Sequence, residues 1–308
     1  MNNLLGHNHT ACPGCGQIIA ARAVANALGK NTIIIQATGC LEVTTAQYPN
    51  SAWKMPWLHS LFGNSSAVAS GVLAGLNYQT FQAKNNKQSL NKKIASTSPQ
   101  PTVVVQAGDG STFDIGFGTI SGMWSRQDNI LYICYDNEIY ANTGGQTSAA
   151  TPLGANTSTD PIGLKAWGMP DRKKNMLDIA LAYKLPYIAQ TTAGFLDDIE
   201  AKIKKALTIT GPKYIQILSP CIPGWHIATN QTLKLGKLAA DTGLYPVVEY
   251  INGKLTKVHK VPKKRIPVAE YLKPQQRFQH LFQNPQNQKI IKKIQKIANE
   301  NIQKYNLS

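Results

Sequence analysis

Two polar turns end apolar runs in the same way. Gly108-Asp109-Gly110 closes the run Thr102–Ala107, and Asp136-Asn137-Glu138-Ile139 closes the run 130–135. If the runs are neighbouring strands, one sheet end receives a carboxylate from Asp109, an amide oxygen from Asn137 and a backbone carbonyl from Ile139. Hard oxygen donors of this kind, with other positions left to phosphate and water, are what Mg²⁺ requires to hold a diphosphate. Gly108 and Gly110 let the backbone come close to phosphate oxygens. A helix beginning near Thr112 turns its N–H groups and positive dipole end toward them. Gly-Asp-Gly alone is an ordinary turn. Its weight comes from the second loop, set one helix and one strand further on.

Cysteines form the second chemical group. Cys12 and Cys15 make a C-x₂-C pair, and Cys40 and Cys221 are remote in sequence. Four thiolates suit either tetrahedral Zn²⁺ or a [4Fe–4S] cluster, and the residues alone leave both open. Cys134 lies inside the apolar run 131–135 and reads as a buried core thiol. Five cysteines, an odd number, do not form a secreted disulfide framework; clustered thiols in a reducing compartment bind metal or do redox work. His59 reads as a structural histidine, with a polar role near a cofactor as the alternative. His7 and His9 read as flexible leading residues, and Trp225 as packing.

The elements that must position these groups follow from patterning. Helices are expected over Gln17–Leu28, 64–77, 113–125, 173–183 and 195–207. Strands are expected over 31–36, 102–107, 130–135, near 187–190 and over 213–218. Residues 83–100, rich in Lys, Asn and Ser, read as an exposed loop, and 136–160 as a polar loop. Strand–helix alternation predicts an α/β fold, a mostly parallel sheet with helices on both faces. Ligands bind such sheets at the carboxyl ends of strands, and Cys40, Asp109, Asn137 and Cys221 all fall just beyond strand ends. After Trp225 the pattern changes. Residues 245–251 and 254–260 flank Asn252-Gly253 as a hairpin. Ile290, Ile291, Ile294, Ile297 and Ile302 then recur at helical spacing. The expected organisation is a domain over residues 1–225 and a C-terminal extension over 226–308, hairpin plus basic helix, packing on the core or on a partner subunit.

A chain of 308 residues with 43% hydrophobic and 16% charged content reads as a soluble globular protein. No apolar run reaches the roughly 20 residues of a membrane helix, and the first residues lack signal-peptide features. A cytoplasmic location is expected. The net charge of +16 gathers toward the end, at Lys254, Lys257, Lys260, Lys263, Lys264 and Arg265 and again from Lys289 to Lys304. It therefore belongs to the tail region rather than to the chemistry, and it would suit an acidic protein partner. A basic nucleic-acid-binding protein with structural zinc is the reading from another class. No recognised nucleic-acid motif supports it, so neither nucleic acid nor membrane is an expected partner.

These motifs together resemble one family. Cys12-Pro-Gly-Cys15-Gly, Ala37-Thr-Gly-Cys40-Leu-Glu-Val, Trp53-Lys-Met-Pro-Trp57-Leu-His59 and Gly108-Asp-Gly110 carry the resemblance. So do 135–146, Pro220-Cys221-Ile-Pro-Gly-Trp225 and the tail stretch 264–272. The likeness is to the thiamine diphosphate-binding β subunits of pyruvate:ferredoxin oxidoreductases, within the 2-oxoacid:ferredoxin oxidoreductases. It implies a thiamine diphosphate-binding fold and oxidative decarboxylation of pyruvate to acetyl-CoA and CO₂, with electrons leaving through a [4Fe–4S] cluster to ferredoxin. By the resemblance, Asp109, Asn137 and the Ile139 carbonyl hold Mg²⁺, and Gly108, Gly110 and Ser111 line the diphosphate. Asn142 faces the thiazolium and substrate as the catalytic position. Cys12, Cys15, Cys40 and Cys221 hold the cluster, with Cys40 also beside the cofactor. Some relatives carry Glu where this chain has Gln17. The implied partners are an α subunit that completes the active site, γ and δ (ferredoxin-like) subunits, ferredoxin, coenzyme A and pyruvate. A branched-chain 2-oxoacid oxidoreductase with the same mechanism is the near alternative. A thiamine-dependent decarboxylase or synthase with structural zinc is the more distant one.

Overall fold

Alternate residues along the strands serve two apolar layers, because successive side chains of a strand point to opposite faces. The computed structural model describes residues 4–85 and 99–308. Its strands are β1 (Thr32–Ala37), β2 (Trp57–Ser60), β3 (Thr102–Gly108), β4 (Ile130–Asp136), β5 (Tyr187–Thr192), β6 (Lys213–Leu218), β7 (Val248–Ile251) and β8 (Lys254–Val258). Among the described residues these form one sheet in the order β2-β1-β3-β4-β6-β5-β7-β8. The first six run parallel; β7 is antiparallel to β5, and β8 to β7.

One layer packs Ile34, Val104, Leu131, Ile133, Ile215 and Ile217 against Val24, Ile199 and Ile203 of α1 (Gly16–Leu28) and α6 (Leu196–Leu207). Between these two helices in sequence lie α2 (Cys40–Thr45), α3 (Ser65–Asn85), α4 (Phe117–Ser125) and α5 (Met176–Ala182). The second layer packs Val103, Val105, Tyr132 and Ile188 against Ala69, Ile120, Trp124 and Leu177 of α3, α4 and α5. Parallel strands buried on both faces read as continuous apolar runs, which is how 102–107 and 130–135 read in the sequence. The fold is thus the expected α/β sheet covered on both sides.

Residues 226–308 join the same body. Strands β7 and β8 extend the sheet, with Asn252 at φ +50° and Gly253 at φ +76° turning the hairpin as an Asn-Gly pair does. Helix α7 (Thr232–Asp241) and helix α8 (Gln288–Lys304) enclose a third core of Leu235, Phe278, Leu281, Ile290, Ile294 and Ala298.

Several boundaries differ from expectation. Helix α3 runs to Asn85 rather than ending near 77, so residues 83–85 of the expected loop are helical. Residues 86–98 of that loop lie outside the described residues. The helix expected over 113–125 starts earlier, as a π-helical turn Gly110–Ile115, before α4. The expected helix over 173–183 begins only after Asn175, whose side chain caps it by accepting from the Asp178 N–H. The leading residues are pinned rather than free. Leu5 bridges to Trp53, and the His9 ring meets Arg22 at 3.4 Å. Strand β2 and helix α2, of four and six residues, and helix α7 lie outside the elements the patterning predicts.

Candidate active site at the carboxyl ends of the strands

The sheet's order reverses between β1 and β3, since β2 lies outward of β1 while β4 lies outward of β3. That is the point where open α/β sheets leave a crevice beyond their carboxyl ends. A cleft of about 110 Å³ opens there, lined by residues 37–41 after β1, 106–110 at the end of β3, and the loop from Asn137 to Thr143 after β4.

Three oxygen-bearing groups meet on its floor. One terminal atom of the Asn137 amide lies 2.6 Å from the Ile139 carbonyl oxygen and 2.8 Å from Asp109 Oδ1. With the amide oxygen in that place, three acceptors face one another with no donor among them, a geometry that a hard cation resolves. With the NH₂ there, the same atoms form ordinary hydrogen bonds. Asp109 is fully buried and accepts from Ser148 Oγ at 2.5 Å. Burial and the nearby Asp136 carboxylate push it up to about 8. A divalent cation would supply the charge that opposes this rise.

The two glycines around Asp109 have different reasons. A Cβ at Gly108 would meet nothing within 4 Å, so the residue leaves open space at the cleft wall. A Cβ at Gly110 would come within 2.4 Å of the Tyr140 ring, so that residue is small to admit Tyr140. Ser111 spends its hydroxyl on the Phe62 carbonyl at 2.6 Å, which leaves its backbone N–H for any phosphate contact. Asn142 stands exposed at the mouth. His59 donates to or accepts from Thr38 Oγ1 at 2.7 Å, next to the cleft wall.

Beside this cleft is a second cavity, of about 210 Å³, lined by Cys12, Cys15, Cys40 and Cys221 together. Residues more than 200 positions apart meet because Gly16 packs on the backbone beside Cys221. The Gly16 N–H donates to the Pro220 carbonyl at 3.1 Å, and a Cβ at Gly16 would lie 2.7 Å from Pro220 backbone atoms. Only glycine permits that approach. Burial raises Cys40 to about 11, with the Cys15 and Cys12 thiols adding to it, and burial likewise raises Cys221 to about 12. Among the described residues no His, Cys, Asp or Glu trio closes around a point as a single-ion site does. The four cysteines have in common that they line this one cavity. Cys134 is buried in β4 on the opposite layer, as expected of a core thiol.

The two cavities share a wall. Gln17, Cys40, Leu41, Asn137, Ala141 and Asn142 line both.

Sequence reasoning missed Ser148, Gln36 and Gln106. Gln36 and Gln106 pair in register on β1 and β3 and both line the cleft. Gln106 is fully buried, and its amide nitrogen has no partner among the described residues, a donor left for a ligand. Each Gln ends an Ile- or Val-rich run, and that repeated polar interruption is the signal that could have found them. Nothing in the sequence marks Ser148.

Comparison with known proteins identifies the family. Residues 37–217 match the family model described as thiamine pyrophosphate enzyme, C-terminal TPP binding domain. The chain is 46% identical over 299 residues to the pyruvate synthase subunit PorB of Methanosarcina barkeri, covering 97% of this chain and 95% of that one. It is 37% identical over 274 residues to the ketoisovalerate oxidoreductase subunit VorB of Pyrococcus abyssi, covering 89% and 84%. Among solved structures, the 2-oxoglutarate:ferredoxin oxidoreductase from Magnetococcus marinus matches with a TM-score of 0.54 and 29% identity, over 70% of this chain and 65% of that one. The chain belongs to the family of thiamine pyrophosphate enzymes that includes the PorB subunits of pyruvate synthases.

Proposed function

We propose that this chain is the cofactor-binding β subunit of a pyruvate:ferredoxin oxidoreductase, holding Mg²⁺–thiamine diphosphate in the cleft and a [4Fe–4S] cluster among the four cysteines. The observation that carries the reading is the shared wall between the two cavities. An electron donor and a one-electron acceptor need to lie this close, whereas a structural zinc site has no such need and no redox chemistry. Bound there, thiamine diphosphate supplies the electron sink for decarboxylating a 2-oxo acid, and the cluster accepts the released electrons singly.

The chain's own residues do the holding and orienting. Asp109 Oδ1, the Asn137 amide oxygen and the Ile139 carbonyl, which lie together on the cleft floor, would hold Mg²⁺. Ser148 fixes the rotamer of Asp109 through its other oxygen, so Oδ1 stays toward the cation. The open space at Gly108 and the N–H groups at the start of the π-helical turn receive the diphosphate. Gln106 offers its unpartnered amide N–H₂ to a bound group. In this reading Asn142, exposed at the mouth, meets the substrate carbonyl. The cavity that all four cysteines line has a volume of about 210 Å³, which leaves room for a multi-iron cluster. Iron would also supply the positive charge that holds buried, mutually repelling thiols ionised.

Asn142 and Thr143 line the cleft and are exposed, which suits an α subunit that completes the site and contributes the remaining substrate contacts. The other assembly partners in this reading are γ and δ ferredoxin-like subunits, with ferredoxin as electron acceptor and coenzyme A as acetyl acceptor. Among the described residues no helix is long and apolar enough to cross a membrane, and the proposed location is the cytoplasm.

The identity to a ketoisovalerate oxidoreductase subunit favours a branched-chain 2-oxoacid oxidoreductase as the second reading. The assembled complex should be assayed anaerobically with coenzyme A and a ferredoxin or viologen acceptor. The expected result is a kcat/KM for pyruvate roughly 10–200-fold above that for 2-oxoisovalerate, the range that pocket-size differences give. A preference for 2-oxoisovalerate or 2-oxoglutarate would replace pyruvate as the substrate.

A further inference from the structure

Behind the loop carrying Asn137 and Ile139 lies a buried charged cluster that the cleft does not contain. Glu138, between those two residues, has φ of +61°, in the left-handed region that non-glycine residues seldom adopt. Its side chain points away from the cleft lining and is almost fully buried. Glu138 Oε2 accepts from Arg277 Nη2 at 2.5 Å, and Oε1 accepts from Lys173 Nζ at 3.0 Å. Lys173 also donates to Asp136, the residue before Asn137, at 2.5 Å. Burial works against the Glu138 charge, yet Lys173 and Arg277 together hold its carboxyl below the usual range.

Arg277 comes from the C-terminal extension, 139 positions away from Glu138. Its guanidinium lies 4.0 Å from the centroid of the Trp225 ring. The Trp225 indole N–H in turn donates to the Asn137 carbonyl at 2.8 Å. Trp225 closes the helical turn that begins after Cys221, with its N–H bonded to the Cys221 carbonyl at 3.0 Å. One guanidinium therefore braces both the turn of the metal loop and the turn that presents a cluster cysteine.

We propose that Arg277 is a positioning residue for the cation site. By pairing with Glu138 and stacking on Trp225 it holds the loop in the left-handed turn that aims the Asn137 amide and the Ile139 carbonyl at one point. The C-terminal extension is thereby part of the cofactor centre. The inference rests on the reading of Asp109, Asn137 and Ile139 as cation ligands. A charged, planar side chain is needed because it must pair with a carboxylate edge-on and lie flat on an indole at once, which lysine does not do.

The test is calorimetric titration of Mg²⁺ into the assembled complex, stripped of metal and supplied with saturating thiamine diphosphate. Arg277→Met should raise the Mg²⁺ dissociation constant roughly 10–100-fold, the usual effect of losing a partner that orients a metal ligand. In the same variant kcat should recover toward the wild-type value as Mg²⁺ is raised. Adding Glu138→Gly to Arg277→Met should restore much of the affinity, because glycine adopts the positive φ without a clamp and removes the buried carboxylate that Arg277 no longer pairs. A merely structural role would not give that recovery. An Arg277→Met complex that binds Mg²⁺ within about twofold of wild type overturns the inference, as does a double variant no tighter than the single. If Arg277→Met fails to assemble, Trp225→Phe decides, since it keeps an aromatic face for the guanidinium and removes the indole N–H to Asn137 along with the pyrrole half of the ring. A several-fold weaker Mg²⁺ affinity is expected there, and an unchanged one overturns the clamp. Wild-type complex that binds no Mg²⁺, or Asp109→Ala complex that binds it as tightly as wild type, would instead overturn the cation assignment on which the inference stands.

Discussion

Asp109→Ala complex is expected to lose thiamine diphosphate on gel filtration and to show no measurable 2-oxoacid oxidation. Asp109 is the only carboxylate in the proposed trio of cation ligands, so its removal takes away the formal charge and leaves two neutral oxygens. A lost charged ligand at a buried divalent site costs on the order of 3 kcal/mol or more, about 100-fold in Mg²⁺–diphosphate affinity. The same substitution separates function from stability. The Asp109 carboxyl is fully buried beside Asp136 and pushed up to about 8, so without a cation the folded state must bury its charge or take up a proton, and either costs free energy at neutral pH. The metal-free variant should therefore melt no lower than metal-free wild type. Cofactor retention measured by thiochrome fluorescence, with thermal melts of the stripped complexes, checks both arms. Normal turnover in the variant would remove Asp109 from the cation site.

The second large effect is expected at the cysteines. Cys221→Ala should leave less than roughly half of the wild-type iron per chain and lose most of the visible absorption near ~400 nm, since a [4Fe–4S] cluster relies on four thiolates. Electron delivery to ferredoxin should fall below detection even where thiamine diphosphate remains bound. Cys134→Ala is the matched control. That thiol is buried in β4 on the opposite layer from the cysteine-lined cavity. Losing it should cost about 1 kcal/mol of packing and no iron. Equal iron loss in both variants would mean that the ligand set is misassigned. The assay is anaerobic iron and sulfide determination on both proteins, prepared side by side.

Much of the rim was legible because strand ends announce themselves. The apolar runs 102–107 and 130–135 stop at polar turns, and the register of β3 on β4, with Gly108 beside Tyr135, brings the turns carrying Asp109 and Asn137 together. Cys40 and Cys221 were legible for the same reason, each following a strand. What brings Cys15 to Cys221 was not legible, because the contact depends on Gly16 meeting the Pro220 backbone, and no periodicity records a tertiary approach of that kind. The π-helical turn at Gly110 escaped notice because its residues have no distinguishing pattern; its form follows from bonds such as Gly116 N–H to the Ser111 carbonyl. Short elements such as β2 and α2 fall below the length at which periodicity separates strand from helix. Glu138 and Arg277 look in sequence like two ordinary surface charges, and only the fold makes them a buried pair.

Chemical analysis of the complex purified without oxygen tests the central claim most directly. The account predicts iron and acid-labile sulfide in equal amounts, at least about four of each for every thiamine diphosphate with the clusters of the ferredoxin-like subunits in addition, and bleaching of the brown colour when pyruvate and coenzyme A are added. Stoichiometric zinc with no sulfide, or a full iron–sulfur complement with no thiamine diphosphate, would contradict it.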